Sequence, residues 1–216
     1  IVPWYIHSKF YFLAEYQYNF FLYFENIDHT ILFDKFRQII KDDDIYNFLV
    51  SQIPADTPGL GLGSQISQIS AMYYLNDMDH YIKEHLYCKY YGRYMDDLYI
   101  IHPNKAYLRK CLTTIIKILS SLGLTVNPNK TRIYKLSEGF VFCKAKYILT
   151  NSGKVLRLLT SNSIKSMKHK LALNINIENI LPSWYSYLSK FNCYRRITKF
   201  FNTYMKGESY AIRTRK

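Results

Sequence analysis

The chain has 216 residues, 29 Lys and Arg against 16 Asp and Glu, a net charge of +13 and a pI near 9.4. That length allows one domain or two small ones with a buried core, and the positive surplus points to polyanionic partners, nucleic acid first among them. No apolar run reaches the roughly 18 residues of a spanning helix, and Cys88, Cys111, Cys143 and Cys193 are scattered without a C-x-x-C pair, which argues against structural zinc and for free thiols in a reducing cytoplasm.

In chain order, residues 10–13 are compatible with a strand. Phe20-Phe21-Leu22-Tyr23-Phe24 is an apolar run of β-favouring residues, read as a strand. Asn26 or Asp28 then caps a helix carrying Ile31, Leu32, Phe36, Ile39 and Ile40 at helical spacing. A glycine-rich loop at 59–63 precedes one long helix through Ile66, Tyr73, Tyr74 and Ile82, ending near Glu84 or His85. Residues 88–101 form a β-hairpin, and Leu108, Leu112, Ile115 and Leu119 write a helix over 106–122 that stops at Gly123. Short strands follow at 124–126, 131–134, 140–142 and 147–149, the last turning through Asn151-Ser152-Gly153 into Val155-Leu156. From Ser161 the pattern is helical and basic, so a domain boundary is placed at Thr160, giving units 1–160 and 161–216.

The chemistry is concentrated in Tyr94-Met95-Asp96-Asp97, where two adjacent carboxylates sit at the bend of the hairpin. Asp is common in turns for local hydrogen-bonding reasons. Two ionised carboxylates side by side repel, however, and a hard divalent cation such as Mg²⁺ relieves that repulsion while leaving positions for substrate phosphates. Such an arrangement suits phosphoryl transfer. The six His form no catalytic or metal signature, and His29, His80 and His102 are assigned to packing or surface roles.

With these motifs in this order, the chain resembles the palm and thumb of a reverse transcriptase of the bacterial group II intron-like kind. Residues 59–68 resemble the second palm motif, Tyr94 to Asp97 the catalytic hairpin, Asn127 with Lys130 and Thr131 the lysine-bearing motif, Phe142-Cys143-Lys144 the primer grip, and residues 23–29 the end of the first palm motif. Leu62-Gly63 with Ser67-Gln68 is similar to the form typical of diversity-generating retroelement enzymes, where the apolar residue goes with loose base selection. The resemblance implies an α+β fold, with an antiparallel sheet backed by helices (the palm) followed by a helical thumb. It also implies RNA-directed DNA polymerase activity with two Mg²⁺ ions on an RNA template, a DNA primer and dNTPs, with an accessory protein as a further partner and no membrane.

Site roles follow from the same resemblance. Asp96 and Asp97 hold metal, and Lys130 stabilises the leaving pyrophosphate. Phe24 excludes a 2′-hydroxyl by bulk, Leu62, Gly63 and Gln68 contact the nucleotide and template, and Arg93 steadies a phosphate or the hairpin. Lys144, Lys165, Lys168, Arg195 and Arg196 contact nucleic-acid phosphates. The chain departs from the pattern where the first motif normally carries its metal-bridging Asp. Asn19 stands there and offers a carbonyl oxygen without the negative charge. Gly61, Ser64 and Lys144 replace the usual Pro, Asn and Gly, and the resemblance implies a fingers segment ahead of residue 1.

Overall fold

The computed structural model describes residues 11–15, 20–54, 59–61, 63–128, 131–173 and 177–204. They fall into two units, Ile1–Leu136 and Ser137–Lys216.

The first unit is built on a four-stranded antiparallel sheet of order β2-β3-β1-β4, from Tyr11–Glu15 (β1), Tyr90–Tyr94 (β2), Asp97–His102 (β3) and Thr131–Lys135 (β4). The expected 88–101 hairpin is the β2–β3 pair, with β1 inserted between β3 and β4. Its helices are Phe20–Glu25 (α1), His29–Ile39 (α2), Asp43–Ser51 (α3), Gln65–Tyr74 (α4), Asn76–His80 (α5) and Lys105–Ser121 (α6). Leu98 and Ile100 of β3 share one core with Tyr23, Phe24, Leu32, Tyr74, Met78, Leu108, Ile115 and Leu119, so helices back one face of the sheet. The fold class is the expected α+β palm arrangement.

Several local expectations are corrected. Residues 20–24 are helical, because a short apolar run carries no periodicity of its own and the choice is made by packing. Here the Tyr23 hydroxyl donates to the Ala71 carbonyl at 2.6 Å, and Tyr23, Phe24 and Ile27 are all buried. Asp28, not Asn26, caps α2, accepting from the Thr30 and Ile31 amides. The long helix after the glycine loop is interrupted at Leu75 and widens into a π-helical turn over Tyr81–His85. Residues 124–126 pair with no strand among the described residues, although Leu124 is buried. Helix α3 carried no sequence expectation; none of its residues is buried.

In the second unit, Phe140–Phe142 (β5), Ala145–Leu149 (β6) and Val155–Leu159 (β7) form a three-stranded antiparallel sheet. Ser161–Ala172 (α7), Ile177–Leu188 (α8) and Tyr194–Tyr204 (α9) follow. Ala145 and Leu159 of the sheet share a core with Met167, Leu181, Leu188, Ile197 and Phe200 of these helices.

Candidate active site

The two acids lie where the hairpin turns. Asp97 pairs with Tyr94, which leaves Met95 and Asp96 as the bend. Two-residue hairpin turns need a positive φ, and Met95 takes it at 56°, a left-handed conformation that costs a side-chain-bearing residue about 1–2 kcal/mol. Asp97 is only 8% exposed. The Oδ2 of Asp96 is buried, and the charge of this carboxylate is felt by the Tyr23 hydroxyl. Burial is the main cause that pushes the Tyr23 pKa up, and Asp96 adds to it.

Arg93 is committed to holding this bend. Its Nε donates to both carboxylate oxygens of Asp79, at 2.8 and 3.2 Å, and its two terminal nitrogens reach the Met95 carbonyl at 2.7 Å and the Met72 carbonyl at 3.0 Å. Burial works against the guanidinium charge, but the hydrogen bonds and charge of Asp79 outweigh it and the Arg93 pKa is raised. Asp79 and Tyr91, whose hydroxyl donates to Asp79, were not singled out from the sequence. The signal available was an acid on a helix that also carries the buried Met78.

The glycine loop is seated against the α1–α2 corner. The Leu60 amide donates to the Phe24 carbonyl at 2.7 Å, and the His29 Nε2 lies 2.5 Å from the Gly59 carbonyl oxygen. Thus His29, assigned to packing, ties the loop to the corner. Phe24 is 1% exposed and packs edge-on to Tyr23, so it forms the floor under this loop. Gly63 and Gln68 are exposed at the start of α4. Asn19, Leu62 and Lys130 lie outside the described residues. β1 ends at Glu15, opposite Leu98, four residues short of Asn19.

In the second unit, Cys143 and Lys144 form the β5–β6 turn, both exposed and both at positive φ, 46° and 64°. Lys165 and Lys168 are exposed on α7 and Arg195 on α9, the helix that also contains Arg196. The Arg157 guanidinium lies over the Phe191 ring at 4.7 Å and faces Tyr147 at 5.9 Å, a cation–π arrangement that sequence patterning does not reveal.

A sequence model of the reverse transcriptase (RNA-dependent DNA polymerase) family matches residues 21–175, more than half of the chain. No curated protein sequence matches. Among solved structures, the fold is similar to telomerase from Candida albicans in complex with a TWJ fragment of telomeric RNA, with a TM-score of 0.55 and 16% identity over 94% of this chain and 41% of that one. It is also similar to apo telomerase from Candida tropicalis truncated from its C-terminal domain, with a TM-score of 0.53 and 17% identity over 68% of this chain and 35% of that one. At such identities the likeness speaks for the fold alone, and the chain spans less than half of either telomerase chain. With the family match covering the acid pair, its hairpin and the glycine loop, the chain belongs to the reverse transcriptase family.

Proposed function

We propose that this chain is the palm and thumb portion of an RNA-directed DNA polymerase that makes cDNA from a primed RNA template and dNTPs, with the low fidelity of the diversity-generating enzymes that its Leu62-Gly63 motif resembles. The observation that carries this reading is the acid pair at a braced two-residue bend, Asp97 buried and Asp96 with a shielded oxygen. Residues 1–160 act as palm and primer grip and 161–216 as thumb. This functional boundary falls later than the compact-unit boundary at Leu136 because the primer-grip sheet packs on the helices that follow it. An accessory protein and a bacterial or phage-encoded, cytoplasmic setting belong to the same proposal.

The donor set suits a hard divalent ion: the carboxylate oxygens of Asp96 and Asp97, with Asn19 standing in the sequence where the family motif carries a further Asp. Mg²⁺ held by Asp96 and Asp97 would supply charge neutralisation on the phosphate being attacked. The chain's own residues do the rest. Arg93 fixes the bend, Lys130 offsets charge on the leaving pyrophosphate, and Gly63 and Gln68 line the nucleotide and template side. Phe24 enters as the floor of the glycine loop. Lys144, Lys165, Lys168, Arg195 and Arg196 hold phosphates of the duplex, an interaction that weakens as salt rises.

A second reading is favoured by Asn19: a nucleic-acid-binding protein that no longer polymerises. Primer extension on a primed RNA with dNTPs and Mg²⁺ decides between the two. Polymerase function predicts extension by the chain, more by Asn19→Asp and none by Asp96→Asn. Absence of extension in both the chain and Asn19→Asp, with RNA binding intact in Asp96→Asn and lost on Lys165→Ala/Lys168→Ala substitution, selects the binding role. A polymerase of phage defence differs from a diversifying one by its gene neighbours, and sequencing the flanking DNA separates these.

A further inference from the structure

The bend that carries Asp96 is braced from behind by the Arg93 side chain, and that side chain is itself held. Arg93 and Tyr91 are two residues apart on β2 and therefore point to the same face. Arg93 pairs with Leu98, a core residue, so this is the face covered by helices. From that side Asp79 of α5 receives the Arg93 Nε on both of its oxygens and a second guanidinium nitrogen on Oδ2. The Tyr91 hydroxyl donates to the Oδ1 of the same carboxylate. The Arg93 side chain is 10% exposed and that of Asp79 28%. A guanidinium is planar with its donors in a fixed fork. Gripping one edge therefore fixes where the remaining nitrogen points, and here that nitrogen lies 2.7 Å from the Met95 carbonyl. Met95 is the left-handed residue of the bend, and its carbonyl belongs to the peptide that leads into Asp96.

We infer that Asp79 is a positioning residue for the acidic bend, acting through Arg93 on the Met95 carbonyl and so setting where the Asp96 carboxylate stands. The inference rests on the reading of Asp96 and Asp97 as the metal-binding pair. It assigns Arg93 to the hairpin and leaves it no part in binding the nucleotide phosphate. Strain at Met95 persists only where the surroundings over-determine the conformation, and the Asp79–Arg93–Tyr91 cluster provides that determination.

The test is Mn²⁺ binding to the full chain, followed by electron paramagnetic resonance, beside thermal unfolding of each variant. Wild-type binding should be lost in Asp96→Asn. Asp79→Asn should bind about tenfold more weakly, in the range seen when groups behind metal ligands are removed. Tyr91→Phe should weaken it by less than Asp79→Asn does, since only the orientation of Asp79 loosens. Because a buried Arg left without its partner destabilises strongly, the double variant Asp79→Leu/Arg93→Met removes both charges together; it should remain folded and still show the tenfold loss. A folded double variant with wild-type Mn²⁺ affinity overturns the positioning role while leaving the metal pair standing. Wild-type binding that survives Asp96→Asn overturns the metal-pair reading itself and the inference with it.

Discussion

Gly59→Ala is the sharpest test of how the glycine loop is built into the first unit. Gly59 has φ +70°, and a Cβ there would lie 2.1 Å from the Phe24 carbonyl oxygen and 2.4 Å from the Glu25 Cα. Both neighbours are backbone of α1, so no side-chain rotation relieves the overlap. The loop must lift, and lifting it breaks the hydrogen bond that the Leu60 N–H donates to the Phe24 carbonyl and the contact between His29 and the Gly59 carbonyl. Left-handed strain costs about 1–2 kcal/mol, and two hydrogen bonds at about 1 kcal/mol each bring the loss to roughly 3–4 kcal/mol, a large share of a domain's usual stability. Gly61→Ala is the internal control, because nothing stands within 4 Å of its Cβ and its φ is not in the positive range. That variant should change stability by less than about 0.5 kcal/mol. Gly63→Ala, with φ +98° and open space, isolates the backbone strain alone at about 1–2 kcal/mol. Urea unfolding of the three variants reads the series. Equal losses for Gly59→Ala and Gly61→Ala would refute the seating of the loop on α1.

Three further outcomes are expected. Lys144→Gly relieves one of the two left-handed residues of the β5–β6 turn and should stabilise the protein by about 1 kcal/mol, while removing one phosphate contact should flatten the dependence of RNA affinity on log salt by about one unit; a destabilised variant would contradict the turn geometry. Tyr74→Phe removes a fully buried hydroxyl that donates to the Leu122 carbonyl at 2.7 Å and accepts from the Asp28 amide at 3.4 Å, so denaturant titration should show a loss of about 1–2 kcal/mol. His80 has its pKa raised above 6.5, first by the hydrogen bond that its ring donates to Glu84 and then by that carboxylate's charge. A raised value means that the folded state holds the proton more tightly, so the pair's small contribution is complete below pH 6.5 and fades as pH rises through the folded value. An NMR titration should show the His80 pKa falling back in Glu84→Gln, and no change there would remove Glu84 as the cause.

How far the sequence could be read varies along the chain with the range of the forces involved. The acidic hairpin was legible because its signal is local: β-favouring residues on both sides of a two-residue bend. Helix α6 was legible for the same reason, with buried positions Leu108, Cys111, Ile115 and Leu119 on one face and Gly123 at its end. Phe20 to Phe24 was misread because its apolar residues are consecutive, and an unbroken run satisfies a buried strand and a buried helix equally. α3 drew no expectation: none of its residues is fully buried, and its contact with the core, made by Tyr46, depends on surfaces from elsewhere in the chain.

The sequence by itself determined the motif order, the acid pair, the basic character of the helices after Thr160 and hence the family likeness. These are properties of neighbouring residues and of net charge, which need no third dimension. Only the tertiary structure decided that β1, first in the chain, lies between β3 and β4, that Asp79 clamps Arg93 from fourteen residues away, and that Gly59 is wedged against α1. Each of these depends on which distant surfaces meet once burial of the core fixes the helices on the sheet. That choice is made by the summed packing of many side chains and is written in no single stretch of the chain.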